Sequence, residues 1–135
     1  MLKKLAVAGL AAATLTLTNL PLAGSAAPDG KAIYAARCAA CHQPTGAGLP
    51  GAFPPLAKNP NVTGAAKGPI TSVVKGKTGA VTVNGTTYNS AMQAWRGAPP
   101  ALMTNAEIAA VLTYVRSSFG NKASAVTEAQ VAAVK

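Results

Sequence analysis

Apolar positions along the 135-residue chain fall into one unbroken run near the start and several periodic stretches after it. Lys3 and Lys4 precede an apolar run from Leu5 to Leu17, which loosens through Thr18, Asn19 and Pro21 into Ala23-Gly24-Ser25-Ala26-Ala27. A basic start, a short apolar middle and a small-residue exit form the pattern of a cleaved export signal. Residues 1–26 are therefore expected to be a signal peptide and residues 27–135 the folded domain. Cleavage after Ser25, Ala26 or Ala27 fits the pattern, with Pro28 disfavouring the last. The alternative is a retained membrane anchor. An anchor needs ~20 clean apolar residues, and Thr14, Thr16, Thr18, Asn19 and Pro21 interrupt that window. Leu22-Ala23-Gly24-Ser25 resembles a bacterial lipoprotein box, but Ser25 stands where the lipidated cysteine would have to be, so lipid anchoring at that box is not expected.

Beyond residue 27 the periodicity predicts helices. Asp29 can cap one running through Gly30, Ile33, Tyr34 and Arg37 to the cysteines. Residues 42 to 61 read as loop, punctuated by Gly46, Gly48, Pro50, Gly51, Pro54, Pro55 and Pro60. A short helix is expected from Pro69, a good first helical residue, through Ile70, Val73 and Val74 to Lys75. Val81-Thr82-Val83, Asn84-Gly85, Thr86-Thr87-Tyr88 is a two-residue hairpin signal. A loop from Asn89 to Leu102 follows, with a helical turn around Met92. Thr104 and Glu107 then form a capping box. Ile108, Val111, Leu112, Val115 and Phe119 fall on one stripe at i, i+3, i+4, i+7 and i+11, and Gly120 ends the helix. Thr127 and Gln130 cap a last short helix carrying Val131 and Val134. No internal repeat is visible. The pattern is a mostly helical chain with long loops, wrapped around something.

Composition narrows the chemistry. Twelve basic and three acidic side chains give a net charge of +9. The three carboxylates are Asp29, Glu107 and Glu128, too few to favour a hydrolase built on a carboxylate pair. One histidine, His42, excludes a three-histidine metal site or bis-histidine haem within one chain. Two cysteines exclude a disulfide-rich scaffold and a four-thiolate zinc site. Aromatic residues make up only 4%, so a small domain needs another large apolar body to fill its core.

The strongest signal is Cys38-Ala39-Ala40-Cys41-His42. C-x-x-C-H is the haem attachment motif of c-type haem. Two thiols add to the two vinyl groups, and a two-residue gap at a helix end sets both sulfurs along one haem edge. The next residue, His42, then lies under the iron as proximal ligand. The competing reading is a dithiol or a structural disulfide. A thioredoxin-like pair would follow a strand in a βαβ pattern, which is missing, and a disulfide closing so short a loop stabilises little.

From these residues the chain resembles the class I c-type cytochromes over essentially all of its length after the leader. Gly30 and Tyr34 lie eight and four residues before Cys38, where that family has a glycine and an aromatic. Val111 and Tyr114 match its apolar-x-x-aromatic pair on the last helix. The resemblance implies that these two helices cross closely at the glycine, and that the Pro54 carbonyl accepts a hydrogen bond from His42 Nδ1. It implies a methionine as sixth ligand. Tyr88-Asn89-Ser90-Ala91-Met92-Gln93-Ala94-Trp95 is similar to the family's axial-methionine loop, with Gln93 where many relatives have proline. Met103, just before the Thr104 cap, is explained instead as a staple on Ile108. Tyr88, Trp95 and Arg96 are candidate donors to haem propionates, although Trp95 reads equally as core and Arg96 as surface.

The resemblance thus implies an all-α class I cytochrome c domain of three to five helices around one covalent haem c, with a small hairpin near 81–88. His/Met ligation leaves no open iron position, and methionine raises the reduction potential. That suits one-electron transfer in the bacterial periplasm by a carrier that is not itself an enzyme. The alternatives are a subunit through which electrons enter or leave a periplasmic dehydrogenase or oxidase, or a haem-based peroxidase or sensor. No distal acid–base group is apparent for peroxide cleavage. Lys31, Lys58, Lys67, Lys75, Lys77 and Lys122 are spread along the chain. They read either as solvated surface or as a field that steers docking to an acidic redox partner. Nucleic acid is not expected, since no basic run is interleaved with aromatics. No integral membrane span is expected after the leader is removed.

Overall fold

The computed structural model describes residues 24–99 and 102–135, so the signal-peptide expectation lies almost wholly outside the described residues. The elements are α1 (Gly30–Arg37), α2 (Ala39–His42), α3 (Pro60–Thr63), α4 (Lys67–Lys75), β1 (Val81–Val83), β2 (Thr86–Tyr88), α5 (Asn105–Ser117) and α6 (Glu128–Ala132). No helix among the described residues is long and apolar enough to cross a membrane.

Asp29 starts α1, its side chain accepting from Lys31 and Ala32 N–H at 2.9 and 3.2 Å. Cys38 breaks the helix, and α2 carries the chain one turn further to His42. Gln43 then turns it with a φ of 65°. The Tyr34 hydroxyl donates to the Gln43 carbonyl at 2.6 Å, tying that turn back onto α1. α5 carries both halves of the Thr104–Glu107 capping box and buries Ile108, Val111, Leu112 and Val115. It crosses α1 at Gly30, where an added Cβ would lie 2.2 Å from the Ala110 carbonyl oxygen. Tyr34, Tyr114 and Phe119 pack as an aromatic trio beside that crossing, with ring centroids 5.1–5.7 Å apart. α6 starts with its own Thr127–Gln130 box and buries Val131.

The hairpin has the register Val81↔Tyr88, Thr82↔Thr87 and Val83↔Thr86. Asn84 and Gly85 both have positive φ, at 49° and 84°, the requirement of the tight turn read from the sequence.

Four local expectations are corrected. α4 begins at Lys67, not Pro69; the first N–H groups of a helix lack partners, so proline at the third position loses nothing. The stretch read as loop to residue 61 ends in α3, with Asn59 as cap and Pro60 at its first turn. Met92 sits in no helical turn. Its backbone pairs with Lys77 through two 2.8 Å hydrogen bonds, an extended pairing. Finally, α5 stops at Ser117, before Phe119 and Gly120. The Asn121 amide takes the Val115 carbonyl at 2.8 Å and Ala123 N–H takes that of Arg116 at 3.0 Å. Those bonds satisfy the last turn and leave Phe119, at φ 59°, to place its ring in the aromatic trio.

Candidate functional site

An apolar cavity of about 650 Å³ opens between α1–α2 on one side and the segments after α4 on the other. That volume is within the ~300–1,000 Å³ range of small-molecule and cofactor sites. Leu112 and Val115 of α5, Val73 of α4, and Val81 and Val83 of β1 form much of its wall. Cys38 and His42 line one side, with Pro54 and Leu56 beside them; Met92, Trp95 and Met103 also line it.

Local sequence sets each group. His42 Nδ1 lies 2.9 Å from the Pro54 carbonyl, so that nitrogen carries the proton and Nε2 is left as a lone-pair donor. Burial lowers the His42 pKa despite the opposing pull of that bond, which keeps the imidazole in its neutral, metal-binding form. Pro54 is itself held in place, since the Asn59 amide donates to the neighbouring Pro55 carbonyl at 2.7 Å. Cys38 and Cys41 are free thiols. Burial, with Cys41 adding to it, pushes the Cys38 thiol up to about 11. A thiolate is disfavoured there, whereas a thioether carries no charge and is not penalised.

The Met92 segment is fixed at three points. Lys77 pairs with its backbone. Gly76, at φ 74°, lets the strand come close: a Cβ there would be 2.6 Å from the Met92 carbonyl oxygen. The Ser90 hydroxyl donates to the Ala52 carbonyl at 2.5 Å. This last bond ties the Met92 segment to the loop that carries Pro54.

Of the residues singled out in the sequence, Cys38, His42, Pro54, Met92 and Trp95 converge on the cavity. Cys41 is exposed on α2. Tyr88 is buried on β2 but is not part of the lining. Arg96 does not line the cavity either; its guanidinium donates to the Val134 and Val131 carbonyls at 2.6 and 3.4 Å. Two features were not anticipated. Met103 lines the cavity as well as packing in the core, and Asn61, Lys67, Thr71, Ser72 and Lys77 supply the polar part of the wall. Only contacts between distant segments could have revealed them.

These residues fit haem: an apolar slot of suitable size, a neutral imidazole with a fixed ring, a thioether, and two free thiols at the motif spacing. Among the described residues no cluster of three or more His, Cys, Asp or Glu could hold a bare metal ion. A helical shell around such a slot defines a covalent haem carrier. The chain belongs to the cytochrome c family, whose sequence model, described as Cytochrome c, matches residues 27–119. It is 39% identical over 113 residues to a cytochrome c-552 of Thermus thermophilus, an alignment covering 81% of this chain and 70% of that protein. A second Thermus thermophilus cytochrome c-552 is 39% identical over 97 residues, covering 69% of this chain and 70% of that protein. The fold is the class I cytochrome c fold with a small two-stranded sheet, the cofactor is haem c with iron, and the protein is an electron carrier.

Proposed function

We propose that this protein is a periplasmic one-electron carrier in which Cys38 and Cys41 attach the haem and His42 and Met92 are the axial ligands. Haem so ligated supplies a one-electron couple at a potential raised by methionine. The observation that carries the reading is the convergence of His42, with its ring held by Pro54, and Met92, with its backbone held by Lys77, on one apolar cavity. Both ligand segments are anchored by backbone hydrogen bonds, so neither has to rearrange when the electron arrives or leaves.

Met92 is preferred over Met103 because Met103 is committed elsewhere. It is 2% exposed and packs in the core with Ile108, whereas Met92 is half-buried and stands outside that cluster. Trp95 lies between the cavity and Arg37, whose guanidinium carbon is 6.0 Å from the ring centroid. Lys67 and Lys77, at the polar wall, can face haem propionates and an acidic redox partner. The periplasmic assignment rests on the leader-like pattern of residues 1–26.

Met92→Ala tests the ligand set. The variant should keep covalent haem, fall in reduction potential, and bind cyanide or carbon monoxide that the parent excludes. A Met92→Ala protein with the parent's potential and no affinity for added ligands would refute Met92 as ligand.

A further inference from the structure

Arg116 is the one charged side chain among the described residues that is fully buried, at 2% exposure. Its guanidinium donates to the Val62 carbonyl at 2.6 Å, the Gly64 carbonyl at 2.9 Å, the Ser124 carbonyl at 2.8 Å and the Ser124 hydroxyl at 3.2 Å. Every one of these partners is neutral. The chain's three side-chain carboxylates lie elsewhere: Asp29 caps α1, Glu107 closes the capping box of α5, and Glu128 is exposed in the first turn of α6. Arginine stays protonated in proteins. The domain therefore holds a positive charge in its interior with hydrogen bonds but no counter-ion.

That charge sits directly behind the cavity wall. Val62, whose carbonyl it binds, lines the cavity, as do Val115 beside it and Leu112 one turn before it on α5. Side chains at i and i+4 of a helix are ~5–6 Å apart. The carbonyl dipoles around the guanidinium fall off with distance faster than its net charge does. Surface lysines are screened by water and salt, whereas a buried charge is screened much less.

We propose that Arg116 is a positioning and potential-setting residue, whose buried, uncompensated charge favours the reduced over the oxidised haem. The oxidised centre carries one more positive charge than the reduced one, so a nearby cation destabilises it and raises the potential. The inference rests on the haem-carrier assignment and not on the choice between Met92 and Met103. A purely structural role, tying α5 to the end of α3 and to Ser124, would leave the potential alone.

Redox titration of the holoprotein at high salt separates the two roles. Arg116→Gln retains amide donors for the carbonyls and loses the charge; Arg116→Lys retains the charge. With Arg116→Gln, the equilibrium constant for reduction by a donor of fixed potential should fall about tenfold, which is ~59 mV for one electron. Arg116→Lys should stay within about threefold of the parent, or ~30 mV by the same constant. A second pair guards against loss of folding. Ser124 is exposed, so Ser124→Asp can set a carboxylate against the guanidinium without disturbing the core, and Ser124→Asn is its neutral match. Ser124→Asp should lower the potential and Ser124→Asn should not. Equal potentials within each pair would overturn the proposal and leave Arg116 as a structural clamp. A parent-like ligand-binding behaviour in all four variants keeps this outcome distinct from failure of the Met92 assignment.

Discussion

Replacing Gly30 with alanine should weaken the domain, although helix propensity alone predicts the reverse. A Cβ at position 30 would lie 2.2 Å from the Ala110 carbonyl oxygen, 2.7 Å from its carbonyl carbon and 3.0 Å from Tyr114 Cβ. Carbon contacts settle near ~3.5–4.0 Å, so α1 has to retreat from α5 by about 1 Å to admit one methyl group. Two of the three atoms met belong to the α5 main chain, so no rotamer change relieves the contact. The retreat is opposed by Tyr34, 2% exposed, with its ring against Tyr114 and Phe119 and its hydroxyl on Gln43. Overpacking of this kind costs about 1–3 kcal/mol. Alanine is favoured over glycine by ~1 kcal/mol inside a helix, and by less at Gly30, the first helical residue. The balance is a loss of about 1–2 kcal/mol, or a Tm lowered by about 5–10 °C in a domain of this size. Denaturant and thermal unfolding of the holoprotein, followed by circular dichroism, measure it. A variant as stable as the parent, or more so, would mean that α5 yields freely and that Gly30 is an ordinary helical residue.

Met103→Ala should leave ligand binding and potential unchanged and cost about 2–5 kcal/mol, the range for truncating a buried methionine; unfolding midpoints together with a redox titration check both halves. Ser90→Ala removes the bond to Ala52. Losing about 1 kcal/mol there should let cyanide displace the Met92 ligand about fivefold faster, as stopped-flow absorbance would show, with an unchanged rate counting against the tie. The second-order electron-transfer rate with an acidic partner should fall about tenfold between low and physiological salt. Lys77→Glu, at the cavity wall, should slow that rate more than Lys122→Glu, and a rate flat in salt would make docking apolar.

Much of the local structure was legible because it depends on neighbours in the chain. The Asp29 cap of α1, the Asn84-Gly85 turn and the Thr104–Glu107 and Thr127–Gln130 boxes each satisfy backbone groups within four residues. The pentapeptide from Cys38 to His42 was legible for the same reason, since attachment chemistry constrains the spacing of five consecutive residues. Where short-range signals competed, the local pattern concealed the element. Asn59-Pro60 carries a cap and a first-turn proline, but the density of prolines before it hid α3. The apolar stripe on α5 pointed past Ser117, and only Asn121, reaching back from beyond the helix, shows why it stops there.

Tertiary structure alone decided the rest, because the deciding contacts join segments far apart in the chain. Arg96 carried the same charge and exposure prospects as any surface arginine until the chain end came into reach and the carbonyls of Val131 in α6 and of Val134 just beyond it claimed the guanidinium. Arg116 continues the apolar stripe of α5 one turn after Leu112, and only the arrival of Val62, Gly64 and Ser124 supplies the acceptors that let a charged side chain be buried there. Met92 and Met103 both approach the cavity because Lys77 draws one segment in and Trp95 the other. Local sequence thus determined what could bind haem and where the helices begin. Long-range packing determined which polar groups reach the cavity, since burial leaves each hydrogen-bonding group bound to whatever partner the fold brings within about 3 Å.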